Sequence, residues 1–377
     1  MDGRMLDARG TGVATYAQGL RAAQRQISAS SAVLVASGDH SPLRRLVAAS
    51  WPGSVDAHAA PPADGGASMQ FASPDLYRRA HVHFSLYRRL LRVRMPGPRG
   101  IMHWTYPVPL AIEGWCNIYT VHDLIPLERP DLSSISATRL RAVLRQISKA
   151  ASRIVTVSDA ARRAIARSGL FAEHQLVDCG QVVEAASVMP GTLPMNLVPG
   201  GYLLWCGSVE PRKNLVRLLR AYGSTGCSQP LVIAGSDGWE AAPIRAEIAR
   251  TPHVISLPYL PRDDLVRLMA NARALLFPSH AEGFGLPLAE AMALGVPTLA
   301  SDIPAHREVA RDASLFVDPL SIEDMAAAIV RLARGGEAIR ALVERGRIGM
   351  ERYGLAHFTS RLSAVYQAAF AEYGASA

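Results

Sequence analysis

The chain has 377 residues, 49% of them apolar and 19% charged, a length and balance that suit a folded protein of two domains and exclude a disordered one. No apolar run approaches the ~18 residues of a membrane span. The opening MDGRMLDARGTG lacks the apolar core of a secretory leader. The net charge of +8 is uneven: 22 Lys and Arg face 14 Asp and Glu up to residue 190, and 18 face 18 beyond it.

In chain order, the RGTG turn leads into a helix over VATYAQGLRAAQRQ, with Gly12 at its head. A glycine turn opening a helix places backbone N–H groups where an anion can sit; a plain tight turn is the competing reading. Only a few residues precede it, so a first strand is either very short or missing. SAVLVAS reads as a strand, and WPGSVDAHAAPPADGGAS as either a surface loop or a partly disordered stretch. Residues 77–99, YRRAHVHFSLYRRLLRVRMPGPR, read as a basic amphipathic helix. It is either a solvated face or a surface for an anionic membrane. With no nucleic-acid-binding fold beside it, nucleic acid is not an expected partner. MHWTYPVPL is aromatic and proline-rich, like a sugar-stacking surface, making His103, Trp104 and Tyr106 candidate acceptor contacts. In TVHDLIPLERP, His122 and Asp123 follow a strand, either touching substrate or packing between domains. SRIVTVS reads as a further strand, and VMPGTLPMNLVPGG, with three prolines and three glycines, as the interdomain linker.

The second half alternates short apolar strands (YLLWCGS, PLVIAGS, HVISLPY, ARALLFPS, VPTLAS) with helical stretches such as NLVRLLRAYG and RDDLVRLMANA. That alternation is the pattern of a parallel sheet covered on both faces. In GSVEPRKNLVRLL, Gly207 ends a strand, and Arg212 and Lys213 precede a helix for which Asn214 is the expected N-cap. Two cations and a helix start at a strand's C-terminal edge suit a diphosphate; a solvated basic turn is the alternative. In HAEGFGLPLAEAMALG, Pro287 fits a first helical turn and Gly295 the position past its end. Gly283 and Gly285 allow close backbone approach, and the N–H groups from Phe284 to Leu286 can face an anion. Glu282 in the loop and Glu290 in the helix can accept hydroxyl hydrogen bonds around that cradle, as a sugar nucleotide requires. The alternative is a solvated loop acid and a helix-start acid favoured by the dipole. HFTSRLSAVYQAAFAEY reads as a closing amphipathic helix. The four cysteines (Cys116, Cys179, Cys206, Cys227) form no CxxC pair, which argues against a zinc site or disulfide framework and leaves a reducing cytoplasm as the expected setting.

Taken together, GSVEPRKNLVRLLRAY, the run from LPYLPRDDL to SLFVDP, and the looser DGRML…RGTGVATY and TVHDLIPLERP resemble the family-4 retaining glycosyltransferases. Glu282 and Glu290 match that family's E-x7-E motif. The resemblance implies an α/β GT-B fold: two Rossmann-like doubly wound domains facing each other across a cleft. Residues 1–190 would bind acceptor, 191–355 would bind nucleotide sugar, and 356–377 would return as a helix to the first domain. It implies Glu282 at the donor sugar's hydroxyls, Glu290 on the ribose, and Arg212 and Lys213 on the diphosphate. His122 would lie near the anomeric centre, Gly12 under the phosphates, and the base on backbone near Tyr259 and Leu260. The expected reaction moves a hexose, by its relatives mannose from GDP-mannose, to a lipid-linked or polysaccharide-precursor acceptor. With no Asp-x-Asp motif, no metal and no cofactor are expected. The expected location is the cytoplasm, with peripheral attachment at the inner face of the membrane. An epimerase or hydrolase on the same fold, or a non-catalytic sugar-nucleotide-binding subunit, are the alternatives. Two departures stand out: Ser208 follows the glycine where relatives carry Arg, and PAHRE, with His306 and Arg307, replaces S-x-x-P-E.

Overall fold

The computed structural model describes residues 1–6, 12–28, 30–38, 53–61, 69–183 and 188–375. The chain forms two compact units. The first is Met1–Glu128, Ile135–Val182 and Leu355–Ala377; the second is Arg129–Ser134 and Val183–Gly354. The division thus falls between Val182 and Val183 rather than at 190, and 129–134 joins the second unit. The irregular stretch 188–201 has only a 3-10 turn, Pro194–Asn196, and is anchored where Gly200 N–H donates to Asn271 O at 2.8 Å.

In the first unit the strands are β1 (Ala32–Ser37), β2 (Val55–Asp56), β3 (His58–Ala60), β4 (Met69–Pro74), β5 (Leu91–Arg94), β6 (Ile101–Trp104), β7 (Leu110–Ile112), β8 (Cys116–Thr120), β9 (Arg153–Thr156) and β10 (Leu176–Asp178). They form sheets in the orders β1-β4-β3, β10-β9-β8-β6 and β2-β5-β7. The very short first strand exists as a bridge. Asp2 pairs in parallel with Leu34, and its N–H donates to His103 O at 3.2 Å, so residues 1–3 lie between β1 and β6. Trp104, Tyr119, Phe84, Leu110 and Ile112 fill the core beneath. The closing helix Leu355–Ala375 packs on the helix Gly12–Ile27, where Gln24 Nε2 donates to Tyr366 Oη at 2.7 Å.

Two expectations are corrected here. Within 51–68, the described residues include β2 and β3 rather than a loop alone: Val55 and Ala57 are drawn into the core; 51–52 and 62–68 lie outside the described residues. Residues 77–99 are not one helix. The helix Leu76–Tyr87 stops where Arg88 turns left-handed at φ 54°, and β5 follows with Leu91 and Val93 buried and Arg92 and Arg94 exposed. Period-two burial outcompetes the helical reading because both apolar residues then face the core.

The second unit is a six-stranded parallel sheet of β11 (Leu203–Cys206), β12 (Leu231–Ala234), β13 (Val254–Leu257), β14 (Ala274–Phe277), β15 (Thr298–Ser301) and β16 (Leu315–Val317). Its order is β13-β12-β11-β14-β15-β16. Every residue of β11, β12, β14 and β15 is buried, the consequence of helices on both faces. Each fully buried Leu or Ile contributes roughly 2 kcal/mol. The strand order reverses between β11 and β14, and in such sheets ligands bind beyond the C-terminal ends of the strands at that reversal.

Candidate functional site

The sequence sends its unusual residues to that reversal. After β11, Gly207 takes φ 143° and passes so close to Gly235 that a Cβ on Gly235 would stand 1.8 Å from Gly207 O. Pro211–Lys213 then forms a 3-10 turn. Asn214 follows at φ 59° and opens the helix Leu215–Gly223, but its side chain does not cap it. Its amide instead donates to Pro278 O at 2.9 Å and Pro319 O at 2.7 Å, which ties the loop after β11 to those after β14 and β16. The expected N-cap is thereby corrected: with two buried carbonyls needing donors, the amide is worth more as a stitch than as a cap.

The loop after β14 carries Glu282 between both cations. Lys213 Nζ lies 2.6 Å from Oε1 and an Arg212 nitrogen 2.8 Å from Oε2. Arg212 also donates to Ala281 O at 3.1 Å and pairs with Glu210 at 2.6 Å, and Lys213 Nζ stands 4.9 Å from the Phe277 ring centre. The Lys213 and Glu282 side chains are each only 10% exposed. Burial pushes the Glu282 pKa up, but the Arg212 and Lys213 charges outweigh it and hold the carboxyl well below the usual carboxylate range. Glu282 is therefore an acceptor, not a proton donor. The cluster holds two cations and two anions, and each cation is held by a carboxylate.

Gly285, at φ 97°, opens the helix Leu286–Ala293, with Pro287 in its first turn and Gly295 beyond its end at φ 72°. The first N–H groups of this helix have no intrahelical acceptor, which leaves donors at the cradle. Phe284 is buried edge-on against Tyr353, at 5.1 Å between ring centres. Gly283 is buried and Leu286 half-buried. Beneath the loop lies His306, fully buried. Its Nδ1 donates to Ser301 O at 3.2 Å, and a Cβ on Gly285 would meet its Cδ2 at 2.9 Å. Burial lowers its pKa to about 4. The PAHRE departure thus places a neutral imidazole as the floor of the glycine turn, while Arg307 turns out to Asp302 at 2.5 Å.

Glu290 sits on the inner side of the same helix, its side chain 8% exposed, and Arg262 grips both its oxygens, at 2.6 and 2.9 Å. Burial raises the Glu290 pKa, and the bidentate Arg262 opposes that rise without reversing it. Beyond β13, Tyr259 is exposed and Leu260 half-buried. Beside the cation cluster lies a cleft of about 460 Å³ lined by Asn214, Arg217, Ile244, His280 and Leu320 among others. There His280 accepts from Arg217 at 3.2 Å, and burial ahead of the Arg217 charge lowers its pKa to about 4.

In the first unit, His122 follows β8, with Nε2 donating to Thr105 O at 2.8 Å and Tyr16 edge-on at 5.0 Å between ring centres. Burial lowers its pKa, so it is a neutral imidazole with Nδ1 as the acceptor nitrogen. Gly12 heads its helix with open space around it, while residues 9–11 of the RGTG turn lie outside the described residues. His103 and Trp104 are not acceptor contacts. His103 is fully buried between Thr120 Oγ1 and Tyr366 Oη, both at 2.8 Å, and Trp104 is fully buried against Tyr119, its indole N–H donated to Asn117 at 3.1 Å. The aromatic run is core because β6 pairs with β8 inside the sheet. Tyr106 is half-buried, its hydroxyl accepting from Arg4 at 2.8 Å.

Sequence reasoning missed Glu210, Arg262, His280 and the place of His306. A buried glutamate implies a cation, but nothing local marks Arg262, 28 positions away, as the partner. Among the described residues no cluster of His, Cys, Asp and Glu could hold a metal, and no helix is long and apolar enough to cross a membrane.

With this geometry in place, comparison with solved structures defines the class: an α/β protein of the GT-B fold. Sucrose-phosphate synthase from Thermosynechococcus elongatus superposes with a TM-score of 0.71 at 17% identity, covering 98% of each chain. Anabaena Alr3699/HepE, solved with UDP, gives 0.64 at 14% identity, covering 95% of this chain and 96% of that one. More particularly, residues 200–348 match the model of the glycosyl transferases group 1. It is 32% identical over 229 residues to O-antigen chain mannosyltransferase B of Escherichia coli, and 29% identical over 224 residues to O-antigen chain mannosyltransferase RfbU of Salmonella typhimurium. These matches cover 57% and 58% of this chain, and the chain spans 60% and 62% of those relatives.

Proposed function

We propose that this protein is a retaining glycosyltransferase that moves mannose from GDP-mannose to a lipid-linked or polysaccharide-precursor acceptor without a metal ion. The observation that carries the reading is the ionised Glu282 clamped between Arg212 and Lys213 at the reversal of the parallel sheet. Arg212 and Lys213 take the donor's diphosphate, with the first-turn amides of Leu286–Ala293. Their charge serves the role a divalent cation has in metal-assisted transfer, stabilising the leaving nucleoside diphosphate as negative charge develops on it. Glu282 accepts from sugar hydroxyls, and Glu290, shared with Arg262, accepts from the ribose. Tyr259 and Leu260 border the base, and Gly207 and Gly283 leave room for the diphosphate. His122, neutral and oriented by Thr105, contacts the transferred sugar, and Gly12 lies by the phosphates. The anomeric C–O bond to phosphate breaks, the acceptor oxygen bonds to the same face, and its proton passes to the departing phosphate oxygen. The two carboxylates are thus not the acid and base pair of a hydrolase. O-antigen mannosyltransferases among the relatives support mannose as the sugar and a glycan carrier as the acceptor. The exposed arginines of 78–99 support attachment to an anionic membrane surface.

The test is incubation of the protein with GDP-mannose and a lipid-linked glycan extract in the presence of EDTA, with the product's anomeric carbon read by one-bond C–H coupling. An α-mannoside supports the reading; a β-mannoside refutes retention, and mannose released only to water refutes transfer.

A further inference from the structure

We infer that the first unit holds a second anion site, separate from the donor cluster, that binds a phosphate-bearing group through Arg89, Arg92 and Lys149. These side chains line a cavity of about 450 Å³ together with Ser54, His83 and Gln146. Its size falls within the range of small-ligand sites, roughly 300–1,000 Å³. The backbone builds it on purpose-shaped local geometry. The left-handed turn at Arg88 ends the helix Leu76–Tyr87 and reverses the chain, and the alternation of β5 turns Arg92 outward while Leu91 and Val93 are buried. The third cation, Lys149, comes from the last turn of the helix Ala137–Ala150.

Three cations meet there with no carboxylate in the lining, and among the described residues none of the three has an ion-pair partner. Nearby arginines behave otherwise: Arg94 pairs with Asp56 at 2.8 Å, and Arg153 pairs with Glu372. At one edge of the cavity the Ser54 hydroxyl donates to Glu113. The helix dipole accounts for Lys149 in the last turn of its helix and for Arg89 just past the C-cap of Leu76–Tyr87; Arg92, on β5, has no such account. Converging like charges repel unless an anion bridges them, and Arg forks with a Lys point charge match phosphate oxygens. Just before the turn, Leu86 and Tyr87 are 57% and 38% exposed, apolar surface adjoining the cationic cavity. That pairing suits a phosphate carried on an apolar chain, although a free phosphate compound would use the same cations. All the lining residues belong to the first unit, so the site does not depend on the donor reading.

The test compares the full-length protein, an Arg89→Gln/Arg92→Gln/Lys149→Gln variant, and a charge-matched control, Arg25→Gln/Arg141→Gln/Arg167→Gln, built at exposed positions outside both the cavity and residues 78–99. Each is titrated with inorganic pyrophosphate by calorimetry and floated with vesicles of phosphatidylcholine alone or mixed with phosphatidic acid. Arg212 and Lys213 are common to all three proteins, so only differences between them are read. The expected result is binding weakened at least about tenfold in the cavity variant and kept in the control. Loss of vesicle binding in the cavity variant identifies a lipid headgroup, and loss of pyrophosphate binding alone identifies a free phosphate compound; both support the site. Equal loss in the control, or no difference between wild type and the cavity variant with either probe, overturns it.

Discussion

His306 makes the second unit acid-sensitive in a way that can be worked out beforehand. The imidazole is fully buried and neutral, with a pKa lowered to about 4 from the ordinary 6.5, by burial first and by Lys213 as a lesser cause. Between those values the unfolded chain binds a proton that the folded chain refuses. The stability contributed by the neutral ring is therefore fully present above pH 6.5 and is lost as the pH falls towards 4. Glu282 is depressed in the same sense but acts below the usual glutamate range, so the interval above about pH 4.5 reports on the histidine and not on this carboxylate. At roughly 1.4 kcal/mol per pH unit, His306 alone costs about 2–3 kcal/mol between about pH 6.5 and 4.5, a large share of a typical domain's ~5–15 kcal/mol. The assay is urea unfolding across that range for wild type and His306→Gln, whose amide can still donate to Ser301 O. The variant's stability should fall by about 2–3 kcal/mol less than the wild type's over the interval. His280 and His103 titrate alike in both proteins and cancel in the comparison. Parallel curves for the two proteins would refute the reasoning.

Further outcomes follow from the same geometry. Under the proposed function Lys213→Met removes one of the two charges assigned to the leaving diphosphate, and kcat for mannosyl transfer should fall by about 10²–10³ with the fold intact by circular dichroism. Arg262→Ala leaves Glu290 buried without its cation; donor KM should rise, and stability should drop by roughly 1–3 kcal/mol, with partial recovery in Arg262→Lys. Gly285→Ala forces a side chain into φ 97° and to 2.9 Å from His306, so unfolding should come about 1–3 kcal/mol earlier and donor affinity should fall with it. Trp104→Ala should destabilise the first unit by about 3–5 kcal/mol while leaving the donor-induced thermal shift in place, as a core residue would and an acceptor contact would not.

The second unit was legible because its strands are buried on both faces and so write themselves as continuous apolar runs, each closed by glycine, serine or proline. The same closeness of chemistry to strand ends made Glu282, Arg212 and Lys213 readable: residues within a few positions of a parallel strand's C-terminus must lie on one edge. Partners from distant strands were not readable. Arg262 on Glu290 and Asn214 on Pro278 and Pro319 depend on strand order, which no local pattern encodes. The first unit was harder to read. LRVR carries the alternation of a half-buried strand, yet its arginines suggested a solvated helix face. The histidine and tryptophan of MHWTYPVPL have polar atoms that suggested a ligand surface, but those atoms are satisfied inside by Thr120, Tyr366 and Asn117. Polar groups at strand positions are read correctly only once their internal partners are known.

The most direct test of the account is calorimetric titration of the protein with GDP-mannose, in EDTA, beside UDP-, ADP- and dTDP-linked sugars, repeated with Lys213→Met and Glu290→Gln. The account predicts metal-free binding of GDP-mannose, weakened in both variants. Absence of binding by every donor to folded protein, or binding that both variants leave unchanged, would contradict it.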